Sequence, residues 1–204
     1  MTTRLCPDYT GLFEVASEQG GYFTAAQARE RGVSKPLLSH HSKGGGRFVR
    51  VGHGLYRIRE YPSSPREDVI VAWLAAGRDV AVVSHDSALD LLDLSDVIPD
   101  AVHLTVPRSM RYRRRPAGAR IHTTTRFVRP GEVVVRDGIR VTCAERSIVD
   151  AAQAGTAPDQ IVTAVAQAVE RGMTTEYRLL DAARGRGRRV ERLLQRALQQ
   201  RASA

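Results

Sequence analysis

The chain has 204 residues, 42% of them hydrophobic and 26% charged, which excludes a wholly disordered polymer and suits one large domain or two small ones. Lys plus Arg number 31 against 22 Asp plus Glu, a net charge of +9, and a surplus of that size points to a polyanionic partner such as nucleic acid. No apolar run reaches the roughly 20 residues that cross a bilayer. The first residues lack the pattern of a secretory signal, and Cys6 and Cys143 are too few for a disulfide framework, so a reducing cytosol is the expected home.

In chain order, residues 1–60 read as three helices and a hairpin. Leu12, Phe13, Val15 and Ala16 form one apolar face, and Gly20-Gly21 stops that helix. Thr24-Ala25-Ala26-Gln27 is a capping box that opens a short helix ending at Gly32. Ser34 caps a third helix, with Pro36 in its first turn, running to about Lys43. Two β-prone runs, 48–51 and 55–58, flank Gly52-His53-Gly54 and predict a hairpin. Helix, helix, short turn, helix, hairpin is the order of a winged helix-turn-helix.

Residues 61–66 hold Tyr61-Pro62-Ser63-Ser64-Pro65 and read as a linker. Ser64-Pro65-Arg66-Glu67 then gives a second capping box, which starts the second domain, 67–204. Its predicted elements are a helix over 67–76, a strand over 80–83 and a helix from Ser84. Strands over 102–106 and 119–123 flank the loop 107–118. A hairpin over 133–142 turns at Asp137-Gly138, and a third capping box, Thr142–Glu145, opens a helix to about Ala154. Three more helices are expected near 158–171, 175–184 and 188–200. The fold class is therefore α+β: an N-terminal winged helix, then a mixed α/β domain ending in several helices.

Candidate contacts follow from charge and helical phase. On the third helix Leu37, Leu38 and His41 fall on one side, which makes His41 a core histidine. The opposite side carries Lys35, Ser39, His40 and Lys43, with Ser34 at its start, and could enter a major groove. Arg47, Arg50, His53 and Arg57 on the hairpin would grip backbone or minor groove.

Residues 79–100 hold six Asp and no Lys or Arg, whereas 101–131 hold eight Arg and no acid. Arg108, Arg111, Arg113, Arg114 and Arg115 share one loop with Tyr112, a pattern suited to phosphates or to an acidic protein face. The run Arg184-Gly185-Arg186-Gly187-Arg188-Arg189 reads as a flexible cationic helix connection, and Val190, Leu193, Leu194, Ala197 and Leu198 beyond it as a core stripe.

Signals for catalysis are poor. Ser84-His85-Asp86 spells a triad, but triads are assembled from distant positions. The six histidines show no metal-ligand spacing, and Gly44-Gly45-Gly46 lacks the Lys-Ser/Thr of a P-loop. Cys143 suits packing better than reaction. No catalytic residue, metal or cofactor is expected.

Several segments together resemble the AbiEi family, the antitoxins of type IV toxin–antitoxin pairs. They are Gly21-Tyr22-Phe23-Thr24, Arg50-Val51-Gly52-His53-Gly54-Leu55-Tyr56, Val83-Ser84-His85-Asp86-Ser87-Ala88-Leu89, Val102-His103-Leu104-Thr105-Val106-Pro107, and Gly138-Ile139-Arg140-Val141-Thr142 running on to Asp150. The resemblance implies an N-terminal winged helix that binds inverted repeats in the operon's own promoter, as an autorepressor. It also implies a C-terminal antitoxin domain that counters a nucleotidyltransferase-like toxin. Two alternatives are an enzyme that neutralises the toxin by phosphorylating it and a plain DNA-binding regulator with no toxin partner. No motif supports the first.

Overall fold

The computed structural model describes residues 6–111, 115–125 and 128–202. It is a mixed α/β protein of two compact units, Met1–Asp79 with Asp137–Ile139, and Val80–Arg136 with Arg140–Ala204.

The first unit is a winged helix-turn-helix. Helices α1 (Tyr9–Ser17), α2 (Ala25–Glu30) and α3 (Lys35–His41) pack on a three-stranded sheet of β1 (Tyr22–Thr24), β2 (Phe48–Gly52) and β3 (Leu55–Ile58), in the order β1-β3-β2. Both pairings are antiparallel, and the β2–β3 register shifts between Arg50 and Gly52. The core gathers Leu12, Ala16, Phe23, Ala28, Val33, Leu38, Phe48 and Tyr56. Phe23 is fully buried, edge-on to Phe48 at 5.0 Å and stacked on Tyr56 at 5.8 Å.

The Thr24–Gln27 capping box forms. The Gln27 amide donates to Thr24 Oγ1 at 3.2 Å, and the Thr24 amide donates to Gln27 Oε1 at 2.8 Å. The buried Gln27 side chain also donates to Gln19 Oε1 at 3.0 Å, so the cap of α2 is tied to the end of α1. Thr24→Ala is expected to destabilise this unit by about 1 kcal/mol. The urea midpoint of the unit's unfolding measures it.

The boundary differs from the linker expected at 61–66. α4 (Glu67–Ala76) packs on β1 and β3, so the first compact unit runs on to Asp79. Glu67 holds the junction: it accepts from the Ser64 amide at 3.2 Å and from Arg57 Nη2 at 3.3 Å. The helix itself begins at Glu67, two residues later than the box proposed at Ser64 and Pro65 requires, because residues 65–66 form a turn.

The second unit is built on a five-stranded mixed sheet, ordered β6-β5-β4-β8-β7. Its strands are β4 (Val82–Val83), β5 (Val102–Pro107), β6 (Ala119–Thr124), β7 (Val133–Arg136) and β8 (Ile139–Thr142). β5 runs antiparallel to β4 and parallel to β6, and β4 runs parallel to β8. Asp137 and Gly138 both have positive φ, at 51° and 76°, as a type I′ hairpin turn requires.

α5 (His85–Leu91) packs on β5 and on α6 (Ala144–Ala154). α7 (Pro158–Glu170), α8 (Glu176–Ala183) and α9 (Arg188–Ala202) complete a helical layer around α6. Val190, Leu194, Ala197 and Leu198 of α9 are buried in it, as core. The capping box expected at Thr142 does not form. Cys143 is the N-cap, and Thr142 Oγ1 bonds Ser147 Oγ at 2.7 Å instead.

Candidate nucleic-acid interface

α3 presents its two faces as its phase requires. Leu38 is buried and Leu37 half-buried, while Lys35, Ser39 and His40 are exposed; the helix ends at His41, two residues short of the expected Lys43, which is exposed in the turn that follows. Ser34, the N-cap, is exposed and its side chain makes no capping bond. His41 is half-buried on the other face. Its Nε2 bonds the Tyr9 hydroxyl at 2.9 Å, and its ring meets Tyr9 and Phe48 edge-on at 5.4 and 5.7 Å. Burial and the neighbouring His40 and Arg47 lower its pKa.

The wing is formed by β2, β3 and the turn at His53-Gly54, where Gly54 takes φ +66°. Arg47, Arg50 and His53 are exposed there. Arg47 also lies over the Tyr9 ring at 5.7 Å, and Arg50 Nε donates to the Gly52 carbonyl at 3.3 Å. Arg57 differs from the expectation. Its Nη2 donates to the Tyr61 carbonyl at 2.6 Å and to Glu67, its guanidinium lies over Tyr22, and its side chain is only 16% exposed. It clamps the hairpin to the start of α4 rather than facing a duplex.

In the loop 107–118, Arg108 and Arg115 are exposed, and Arg108–Met110 form a turn of 3₁₀ helix. Tyr112, Arg113 and Arg114 lie outside the described residues. Arg111 is exposed and engaged in an interaction of its own.

The second unit also contains a polar network at the start of α6. Arg146 Nε bonds Asp150 Oδ2 at 2.6 Å, and Arg146 Nη1 lies 3.4 Å from Glu132. Arg186 Nη1 reaches Asp150 Oδ1 at 3.3 Å and Gln153 at 3.3 Å, and Arg178 pairs with Glu145. Glu145, Arg146 and Asp150 are all buried. Burial raises the Asp150 pKa against the opposing pull of Arg146 and Arg186. Arg186 is thus anchored, whereas the Arg-Gly run was expected to be flexible. Glu132, Glu145, Arg146, Arg178 and Arg186 line a cleft of about 280 Å³ with Arg129 and Cys143. Burial pushes the Cys143 thiol up to about 11, so it is not a thiolate at neutral pH.

Ser84 and His85 do touch, with Ser84 Oγ 2.9 Å from His85 Nδ1, but no triad results. Asp86 is bound by Thr156 Oγ1 at 2.5 Å, and Ser84 accepts from Thr105 Oγ1 at 2.8 Å. The topology brings together three histidines that spacing alone does not connect. His85 opens α5, His103 sits on β5 and His122 on β6, with one ring nitrogen of each within 4.8 Å of the others. This is the one group of that kind among the described residues.

An N-terminal unit of this shape, with a basic outward helix face and an arginine-bearing wing, defines the winged-helix class of DNA-binding regulators. Residues 12–59 match the family described as "Transcriptional regulator, AbiEi antitoxin". The resemblance noted in the sequence thus holds across the winged helix. No curated protein matches the chain. Among solved structures, that of the RV2827C protein from Mycobacterium tuberculosis is similar with a TM-score of 0.59 at 14% identity, over 93% of this chain and 75% of that one. That likeness is one of fold, and at 93% of this chain it takes in the second unit as well as the first.

Proposed function

We propose that the protein is the antitoxin of a type IV toxin–antitoxin pair, which represses its own promoter through the winged helix and neutralises a nucleotidyltransferase-like toxin through the second unit. The match over residues 12–59 is the observation that carries this reading. The exposed Lys35, Ser39 and Lys43 face supports the DNA half of it. No catalysis by this chain is invoked.

Co-expression with the product of the neighbouring gene tests the antitoxin role. Growth is expected to be restored by the full chain, and restored equally by a chain with Lys35, Ser39 and Lys43 all changed to Ala. Failure of the wild-type chain to restore growth against that product overturns the reading. If restoration requires ATP-dependent labelling of the toxin, the phosphorylating alternative replaces it.

Arg108 and Arg115 belong to the second unit and carry exposed charge. They are proposed to meet an acidic face of the toxin. Reversing both to Glu is expected to move thermal stability within about 0.5 kcal/mol, as exposed substitutions do. Growth rescue is expected to fall. Unchanged rescue with unchanged melting would assign the two side chains to plain solvated surface.

A further inference from the structure

We propose that His85, His103 and His122 form a binding site for a divalent transition-metal ion of the zinc class. Three observations converge on it.

The first is geometry. The His85 and His122 rings stack at 3.6 Å between centroids, and His103 lies 5.1 Å from His122 and 5.7 Å from His85. One nitrogen per ring falls within 4.8 Å of the other two. Tetrahedral zinc with Zn–N bonds of about 2.0–2.1 Å needs ligand nitrogens about 3.3 Å apart. Reaching that spacing requires the stacked His85 and His122 rings to turn about their side-chain torsions.

The second observation is unmet hydrogen bonding. His103 Nδ1 and Nε2 and His122 Nε2 are buried and have no hydrogen-bond partner among the described residues. His103 is only 2% exposed. Buried ring nitrogens are almost always satisfied, so three such atoms in one cluster mark a place where a further group belongs. The Asp100 carboxylate oxygen stands 3.6 Å from His103 Nε2, longer than a hydrogen bond.

The third is the chemistry around the cluster. The His85 ring is oriented by Ser84, which Thr105 orients in turn. Such outer groups are how proteins fix ligating histidines. Three histidines leave a fourth position for water. The ion would tie the start of α5 to β5 and β6.

Untagged full-length protein, stripped with a chelator, tests this with cobalt(II) and zinc(II) as probes. One equivalent of either is expected to bind and raise the melting temperature, with cobalt giving the strong visible absorption of a tetrahedral site. His122→Gln is expected to weaken binding at least tenfold while melting normally in the stripped state. X-ray absorption of the wild-type zinc complex, which does not depend on any variant folding, is expected to count three imidazole nitrogens and no sulfur. No saturable one-to-one binding, sulfur ligation or unchanged affinity in a folded His122→Gln protein each overturns the proposal.

Discussion

Replacing Lys35, Ser39 and Lys43 together with Ala is expected to lower affinity for the operator on the order of 100-fold or more. All three side chains are exposed, Lys35 and Ser39 on α3 and Lys43 just past its end. A groove-facing side chain contributes about 1–3 kcal/mol, and 1.4 kcal/mol is tenfold in affinity, so removing three of them exceeds two decades. The fold is expected to hold, since exposed substitutions move stability by about 0.5 kcal/mol or less. Each phosphate that the variant leaves without its cation should also flatten the plot of log K against log salt by about 0.9. Gel shifts at two salt concentrations measure both effects. Unchanged affinity in the folded triple variant would remove α3 from the interface.

Arg146→Ala is expected to cost the second unit about 3–5 kcal/mol. Asp150 is 5% exposed and takes its short 2.6 Å bond from Arg146. Without that partner the carboxylate keeps, among the described residues, the Arg186 contact at 3.3 Å, in a site where burial already disfavours its charge. Replacing both partners, Arg146→Met with Asp150→Leu, should recover much of the stability, because no unpaired charge then stays buried. Far-UV circular dichroism during denaturation suits the measurement, since the single tryptophan, Trp73, belongs to the other unit. A cost below about 1 kcal/mol in Arg146→Ala would mean that water reaches Asp150 in solution.

The winged helix was legible because its signals are local. The Thr24–Gln27 box, Pro36 at the start of α3, and Gly54 in the turn each act within a few residues, and each lies where the sequence places it. β1 was not legible, because three residues become a strand only through pairing with β3 more than thirty residues away. The same holds for α4, whose place in the first unit comes from packing on β1 and β3 and from the Arg57–Glu67 pair. That pair also removed Arg57 from the wing. Of the other two capping patterns, the one at Ser64 forms only in part and the one at Thr142 not at all, for a related reason. Ser64 and Thr142 have the right chemistry, but a turn at 65–66 and the Ser147 hydroxyl claim the positions. The three histidines come from one helix and two strands, so no spacing rule finds them. Only the parallel pairing of β5 with β6, which sets Thr105 opposite His122, brings the second and third rings to one place.

The central claim, that α3 and the wing read the chain's own promoter, is tested most directly by footprinting the wild-type protein on that DNA. The account predicts two protected half-sites related by inversion, both abolished in the Lys35, Ser39 and Lys43 triple variant. Protection spread evenly along the duplex, or none at any salt concentration, would contradict it.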